Sequence, residues 1–345
     1  MDESNWRIVM LGKTGAGKSS VANTILGEPL FKTNTTANSE TSKCQAETKT
    51  LNGRSITLID TPGFFDTAVS EEELKTELIK CITECAPGPH AFLIVFKVEK
   101  FTEHEQDVIK TISECISKEV FQYATVLFTH GDQLDEGQTV EEYFHQNQLA
   151  KELLENCGGR CHVIDNKYWK NNQQDEYRSN QFQVKELLKT VDQMVEANKG
   201  SCYTNQMLQS VEEEIQREEE ELIRQSSGNM TRKEARKLAK FNVFNNLKFK
   251  LASIASTALL GGLYGMLTMV QDVVKVLKKY QPEPEKSQAS VEEPEGAAAE
   301  QTASTFVAEV AVKGGVAGYH AADEAPQDVA EKAAEAVTEE GTACP

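Results

Sequence analysis

The strongest chemical signal in the chain is a phosphate-binding loop. The pattern G-x-x-x-x-G-K-[ST] is met by Gly12, Lys13, Thr14, Gly15, Ala16, Gly17, Lys18 and Ser19. An apolar strand-like run precedes it, and a helix-like run beginning at Ser20 follows, so the backbone N–H groups of the loop and Ser20 are predicted to face phosphates. Lys18 supplies the charge for the outer phosphates, and the Ser19 hydroxyl is an oxygen ligand for Mg²⁺. A glycine-rich structural turn is the alternative.

A second phosphate signal follows another apolar run. Asp60-Thr61-Pro62-Gly63 has the form D-x-x-G, in which the aspartate reaches Mg²⁺ through water and the glycine N–H meets the terminal phosphate. The pattern alone is common. Its position after a strand, downstream of the loop, predicts that Asp60 and Gly63 belong to the same site.

The base is indicated by Thr129-His130-Gly131-Asp132, which follows a strand as N-K-x-D does in guanine-specific proteins. The Asp132 carboxylate can accept from both the ring N–H and the exocyclic amine of guanine, a pair of donors that adenine lacks. His130 is expected to stack on the base, and Asn166 to add a further contact. The predicted ligands are therefore GTP or GDP with Mg²⁺. The alternative to a base-binding motif is that this segment is only a polar loop after a strand.

The remaining pattern predicts an α/β fold with a doubly wound, mostly parallel sheet, with the nucleotide at the carboxyl ends of its strands. Asn52-Gly53 predicts a hairpin turn. Short apolar runs predict strands, and runs with apolar residues three and four apart predict helices. The predicted strands are Ile8–Leu11, Cys44–Leu51, Arg54–Ile59, Ala91–Val98, Tyr123–Phe128 and Cys161–Ile164, and the predicted helices are Ser70–Cys85, His104–Ser117, Val140–Asn156 and Asn180–Ala197.

Charge and cysteine content narrow the function classes. The chain has 345 residues and a net charge of −18, which argues against a nucleic-acid-binding surface. Residues 281–345 contain fourteen Asp or Glu against three Lys and are rich in Ala and Pro, so this tail is predicted to be disordered. Eight cysteines and an N-terminus without a secretory signal indicate a reducing cytosol.

Together these motifs resemble the immunity-associated GTPases, or GIMAP proteins, whose structural relatives are the chloroplast-import GTPases and the septins. The resemblance covers Ser4 to Asn205. Besides the motifs above it rests on Ser39–Cys44, Pro87–Phe96, Phe101–Gln106, Thr129–Leu134 and Cys157–Arg160. It implies a Ras-like P-loop G domain that dimerises across its nucleotide face when GTP is bound, oligomerises on membranes, and has roles in lymphocyte survival and organelle association.

The resemblance also assigns roles to single residues. Thr41 takes the place of the switch threonine that reaches Mg²⁺ and the γ-phosphate, with Thr33, Thr35 and Thr36 as nearby competitors. Phe64 stands where small GTPases carry the Gln that orients water, which predicts slow intrinsic hydrolysis. Lys100 stands where active members carry an arginine that acts across the dimer; a solvated surface lysine is the alternative.

These observations predict a GTP-binding, membrane-associated switch or scaffold that assembles when GTP is bound. Two alternatives remain open: a dimer-activated GTPase with real turnover, and an interaction protein that binds nucleotide constitutively. Measured turnover as a function of protein concentration separates the three, because only dimer-dependent catalysis rises faster than linearly.

The C-terminal third predicts a membrane anchor. Residues 206–250 are predicted to form a charged helical extension after the G domain at 4–205. An apolar stripe in Tyr203–Gln225 suits docking on the G domain or on a partner helix, and a plain charged helix is the alternative. Leu251–Val270 has no charged residue and is long enough, as one helix, to span the ~30 Å hydrocarbon core. Gly261 and Gly265 have the small-xxx-small spacing of paired membrane helices. We expect attachment to the cytosolic face of an intracellular membrane; interfacial insertion and a soluble buried helix are the alternatives.

Overall fold

The computed structural model describes residues 5–33, 43–63, 70–100, 102–169, 176–227 and 229–279. The predicted switch residue Thr41, its competitors Thr35 and Thr36, Phe64 and the tail at 281–345 lie outside the described residues.

A six-stranded sheet organises the fold. Its strands lie in the order β2-β3-β1-β4-β5-β6, all parallel except β2, which is antiparallel to β3. The strands are β1 (Asn5–Leu11), β2 (Gln45–Leu51), β3 (Arg54–Asp60), β4 (Ala91–Lys97), β5 (Ala124–Thr129) and β6 (Cys161–Val163). The predicted α/β, Ras-like fold is thus confirmed. Asn52 and Gly53 both have positive φ and close the predicted β2–β3 hairpin.

Helices cover both faces of the sheet. In chain order they are α1 (Lys18–Leu26), α2 (Glu71–Cys85), α3 (Glu103–Cys115), α4 (Lys118–Phe121), α5 (Val140–Phe144), α6 (Gln148–Asn156), α7 (Asn180–Ala197), α8 (Gln206–Gln225), α9 (Arg232–Lys250), α10 (Ser256–Leu263) and α11 (Leu267–Lys279). Alternate strand residues point to opposite faces, which explains two separate apolar clusters. One contains Ile8 and Met10 with α1 and α7; the other contains Val9 and Leu11 with the remaining helices.

The predicted helix Val140–Asn156 is wrong in one respect, since it is two helices. Thr139 begins α5 with a capping box, in which its hydroxyl accepts from the Glu142 N–H and the Glu142 carboxylate accepts from the Thr139 N–H. The Asn147 side chain then accepts from the Ala150 N–H and begins α6. The two N-terminal caps override an apolar periodicity that runs through both segments.

The apolar stripe of α8 docks on the chain itself. Met207, Leu208, Val211 and Ile215 are buried in the core cluster that also contains residues of α2, α9 and α11. Along its flank α8 is joined to α9 by charged hydrogen bonds. These are Arg236 to Glu212 at 2.6 Å and to Glu219 at 3.3 Å, Lys250 to Glu214 at 2.8 Å, and Asn242 to Glu218 at 2.7 Å.

The prediction of one long helix over Leu251–Val270 is wrong. The chain forms α10, breaks at residues 264–266, and continues as α11 at an angle of 113°. Among the described residues no single helix is long and apolar enough to cross a membrane, although this bent pair passes by length and composition. The two glycines serve internal packing: a Cβ on Gly261 would lie 1.9 Å from Met269 Sδ, and one on Gly265 would lie 2.4 Å from the Tyr203 hydroxyl.

Hydrogen bonds tie α2 to the C-terminal helices. The Glu71 carboxylate accepts from the Ser256 N–H at 2.7 Å and from the Ser256 hydroxyl at 2.6 Å, which caps α10 from outside. Lys75 donates to the Ala252 carbonyl at 2.9 Å, and Lys240 of α9 forms an ion pair with Glu84 at 3.1 Å. The start and the end of α2 are therefore both held by residues beyond the G domain.

We expect Glu71→Gln to lower the free energy of unfolding by about 1 kcal/mol, the modest end for a charged hydrogen bond because Glu71 is exposed. The hydroxyl and N–H of Ser256 lower the pKa of Glu71, so this stabilisation is present above the unfolded pKa and is lost as pH falls through the folded one. Urea unfolding measured as a function of pH tests it. Glu72→Gln, in the same helical turn, is the matched control, and equal losses in both variants would contradict the capping role.

Candidate nucleotide-binding site

The phosphate loop folds around its own lysine. Lys18 Nζ donates to the carbonyls of Gly12 at 2.9 Å and Lys13 at 3.0 Å, and the side chain is buried at the start of α1. Gly12 has a φ of 152°, and a Cβ there would lie 2.3 Å from the Val95 carbonyl of the neighbouring strand. Only glycine fits this approach. The loop thus holds a positive charge against its own backbone carbonyls at the start of α1, as a polyphosphate site requires.

A hydroxyl and a carboxylate meet beside that lysine. Ser19 Oγ donates to Asp60 Oδ2 at 2.5 Å, across the carboxyl ends of β1 and β3. Asp60 is 1% exposed, and its Oδ1 has no hydrogen-bond partner among the residues that the structure describes. Burial raises the pKa of Asp60, although Lys18 and the Ser19 hydroxyl act in the opposite direction. The Ser19 hydroxyl as a direct ligand, and Asp60 acting through water with an Oδ1 unused within the described chain, fit Mg²⁺.

The residues predicted to read the base surround one cavity of about 300 Å³. It lies after β5 and β6, where both strands end. Its walls are His130, Asp132, Gln133, Asp165, Asn166, Lys167 and Tyr168. The structure therefore brings together three residues from two distant segments that the sequence predicted separately.

Thr129 and Asn166 join this cavity to the phosphate loop. Thr129 Oγ1 lies 2.8 Å from the Ala16 carbonyl and 3.3 Å from the Phe96 carbonyl. Asn166 Oδ1 accepts from the Thr24 hydroxyl of α1 at 3.0 Å. Both side chains were predicted as nucleotide contacts; the structure gives them bonds that fix the distance between the base cavity and the phosphate loop.

Asp165 was missed by the sequence analysis. Its Oδ1 accepts from the N–H of Lys167 at 2.8 Å and from that of Tyr168, and its backbone exchanges two hydrogen bonds with the Asn180 side chain. Its Oδ2 lies 3.5 Å from the Asp132 N–H. Asp165 thus shapes both loops of the cavity. The available signal was a carboxylate directly after an apolar strand, the same signal that identified Asp60.

Packing against Trp169 requires glycine at the third position of the base motif. A Cβ on Gly131 would lie 2.5 Å from the Trp169 indole, which is buried. His130, in the left-handed region at φ 59°, turns the chain so that Asp132 enters the cavity. Burial, with Lys97 adding to it, lowers the pKa of His130. A neutral imidazole is suited to stacking on a base.

The other predicted site residues do not line the base cavity. Gly63 is buried beyond the end of β3, and Lys100 is exposed beyond the end of β4. Lys13 of the phosphate loop forms an ion pair of 2.7 Å with Glu99, the neighbour of Lys100. Lys100 therefore lies beside the phosphate loop. Thr14, Gly15 and Ser20 complete the loop and the first turn of α1.

Comparison with known proteins agrees with this geometry. The sequence profile of the AIG1 family matches residues 6–222. The chain belongs to the AIG1 family. Immune-associated nucleotide-binding protein 8 of Arabidopsis thaliana is 35% identical over 251 residues, covering 70% of this chain and 69% of that protein. Immune-associated nucleotide-binding protein 7 of the same plant is 33% identical over 215 residues, covering 61% and 67%.

Two solved structures of one plant protein are also similar to this chain. Toc33 of Arabidopsis thaliana in complex with GDP and Mg²⁺ is 21% identical, with a TM-score of 0.42, and covers 55% of this chain and 84% of that one. Toc33 in complex with Mg²⁺ and GMPPNP has the same TM-score of 0.42 at 20% identity, covering 56% and 85%.

We expect Asp132→Asn to reduce the preference for GTP over ATP by about thirtyfold to a hundredfold, the value of a lost paired contact of roughly 2–3 kcal/mol. Calorimetric titration with each nucleotide measures it. Asp135→Asn, three residues on and exposed, is the control and is expected to leave the preference unchanged. An unchanged preference in Asp132→Asn would show that the base is read elsewhere.

The preference for GTP over ATP is also expected to weaken at acid pH. Burial, together with the neighbouring Asp165, raises the pKa of Asp132, and only the ionised carboxylate accepts both guanine donors. The preference is thus full at high pH and is lost as pH falls through that raised pKa. Asp165→Asn removes the neighbouring charge and is expected to move the loss to lower pH. Comparing the two nucleotides cancels phosphate protonation, and a pH-independent ratio would contradict the assignment.

Proposed function

We propose that this AIG1-family protein is a GTP-controlled switch and scaffold that binds GTP or GDP with Mg²⁺, self-associates through its nucleotide face when GTP is bound, and hydrolyses GTP slowly. The observation that carries the proposal is the meeting of Lys18, Ser19 and Asp60 with the Asp132 cavity at one edge of the sheet. One nucleotide can then use all of these groups: the charge binds its phosphates, the oxygens bind its metal ion, and the carboxylate binds its base.

Each group has a distinct task in binding. Lys18 and the N–H groups of the phosphate loop hold the phosphates, and Asp132 with His130 orients the base. Ser19 would ligate Mg²⁺ directly and Asp60 would reach it through water, and the ion neutralises phosphate charge when bound. Thr41 is proposed as the switch ligand. The bonds of Thr129 and Asn166 keep the two halves of the site at a fixed separation, so little order has to be gained on binding.

Slow hydrolysis follows from the residue after the D-x-x-G motif. Phe64 occupies the place of the water-orienting Gln, and a phenyl ring neither donates to nor accepts from water. The second candidate, a GTPase activated by pairing, is favoured by the position of Lys100. Lys100 is exposed, and its neighbour Glu99 forms an ion pair with Lys13 of the phosphate loop. Lysine is a weaker transition-state clamp than arginine because it lacks the planar fork.

We further propose that the protein works at the cytosolic face of an intracellular membrane. Support comes from the basic helix α9, which has seven Lys or Arg against one Glu. The bend between α10 and α11 favours a peripheral attachment over a spanning helix.

Self-association is tested by light scattering at tens of micromolar protein. With a non-hydrolysable GTP analogue and Mg²⁺ we expect a doubled mass, and with GDP a monomer. Lys18→Ala, which deletes the phosphate charge, is expected to remain monomeric in both. A monomer in every nucleotide state of the unmodified chain would contradict the proposal.

Turnover distinguishes the two candidate functions. The switch predicts a low specific activity that is independent of protein concentration, whereas pairing-dependent catalysis makes specific activity rise with concentration. In that second case Lys100→Arg is expected to raise turnover by about tenfold, through the bidentate contact of guanidinium with phosphate. Lys110→Arg, exposed on α3, is the matched control. Equal turnover in all three proteins leaves Lys100 a surface residue.

A further inference from the structure

Helix α9 has two unlike faces. Ala235, Ala239, Val243 and Leu247, spaced by four, are buried in the core. The opposite side carries Lys233, Lys237, Phe241, Lys248 and Phe249, all of them exposed, which we call the outer face of α9. Phe241 is 60% exposed and Phe249 is 82% exposed. Two large aromatic rings left in water on one helix are unusual for a face that binds nothing.

The charge of α9 is divided between these faces. The helix has seven Lys or Arg against one Glu. The inward basic residues Arg236, Lys240 and Lys250 are matched by carboxylates of α8 and α2. In the part of the chain that the structure describes, Lys233 and Lys248 form no ion pair, and the Lys248 ammonium instead lies 5.7 Å from the centre of the Phe244 ring. The outer face therefore stays positive in a chain whose net charge is −18.

We propose that the outer face of α9 is a docking surface for an anionic lipid bilayer, with the helix lying parallel to the membrane plane. This inference rests on the membrane association proposed above, and it assigns that association to α9 and not to the apolar segment after it. Lysines at the edge of a helix attract acidic headgroups, and phenylalanines beside them insert at the boundary of the acyl chains. An anionic bilayer presents both the acidic headgroups and the acyl chains to this one face.

The rest of the fold suits this orientation. The apolar residues of α10 and α11, including Leu259, Leu263, Val273 and Leu277, are buried in the core, so their insertion requires that core to open. Docking through α9 leaves every buried contact intact. The negative charge elsewhere on the protein is screened over about 8–10 Å at physiological salt, so the local basic face decides the attraction.

Vesicle sedimentation with the intact, GDP-loaded chain tests the proposal. We expect binding to phosphatidylcholine vesicles that contain phosphatidylserine, little binding to pure phosphatidylcholine, and release as salt is raised. Lys233→Glu with Lys248→Glu is expected to weaken binding by about thirtyfold or more, at roughly 1 kcal/mol for each lysine near the surface. The matched control is Lys110→Glu with Lys118→Glu, which makes the same charge change on exposed lysines of α3 and α4.

A second pair of variants tests the contribution of the two phenylalanines of the outer face. Phe241→Ser with Phe249→Ser is expected to weaken binding by about tenfold without changing nucleotide affinity, which also shows that the variant is folded. Leu267→Ser, an equally exposed apolar residue on α11, is the control and is expected to have no effect. Loss of binding in Leu267→Ser alone, or equal binding to neutral vesicles at high salt, would assign the contact to α10 and α11 and overturn the proposal.

A truncated chain gives a further outcome. If the intact chain fails to bind vesicles and a chain ending at residue 279 binds them, the outer face does not dock in the intact protein and the proposal is wrong. Light scattering of the same lysine and phenylalanine variants with the GTP analogue separates this inference from the switch itself. Nucleotide-dependent pairing without vesicle binding would remove the docking surface and leave the switch intact.

Discussion

The buried contact between Ser19 and Asp60, beside Lys18, is the constraint around which the structure is arranged. A carboxylate that is 1% exposed, with burial raising its pKa, is costly in a protein interior unless cations and donors surround it. The loop lysine and the serine hydroxyl meet part of that demand, and Oδ1, which has no partner among the described residues, is left for the proposed Mg²⁺ and its water. The parallel sheet makes the arrangement possible, because β1 and β3 end side by side at the same edge.

The base cavity lies at the same edge of the sheet. The C-terminal helices meet a different need, which is to cover one face of the sheet. β5 pairs with β4, β6 pairs with β5, and all run parallel to β1, so Asp132 and Asp165 are brought to one cavity at this edge without any long-range signal in the sequence. The second face of the sheet needs cover, and the C-terminal helices provide much of it. The family match ends at residue 222, yet the core cluster continues to Leu277, so the helices after the G domain belong to its core.

The sequence predicted those parts of the molecule whose structure is encoded locally. The phosphate loop, the hairpin at Asn52-Gly53 and the helix Asn180–Ala197 follow from residue types at fixed spacing, and each is found where it was expected. Asp165 and Trp169 were missed because their roles depend on packing against Asp132 and Gly131, in a segment more than thirty residues away. The break in Leu251–Val270 was also missed. Its cause is partly local, since Gly265 has a φ of 82° and the Met266 N–H donates to the Gly261 carbonyl, as at many helix ends, and partly tertiary, since Gly265 packs against Tyr203 and Ser117.

The most direct test of this account is calorimetric titration of GTP into the protein with and without Mg²⁺, repeated for Ser19→Ala and Asp60→Asn. The arrangement of Lys18, Ser19 and Asp60 predicts that Mg²⁺ tightens GTP binding to the unmodified chain by about tenfold or more, and that both substitutions remove most of that gain while the fold persists. GTP binding that is equally tight with and without Mg²⁺ in all three proteins, or no GTP binding to the unmodified chain, would contradict it.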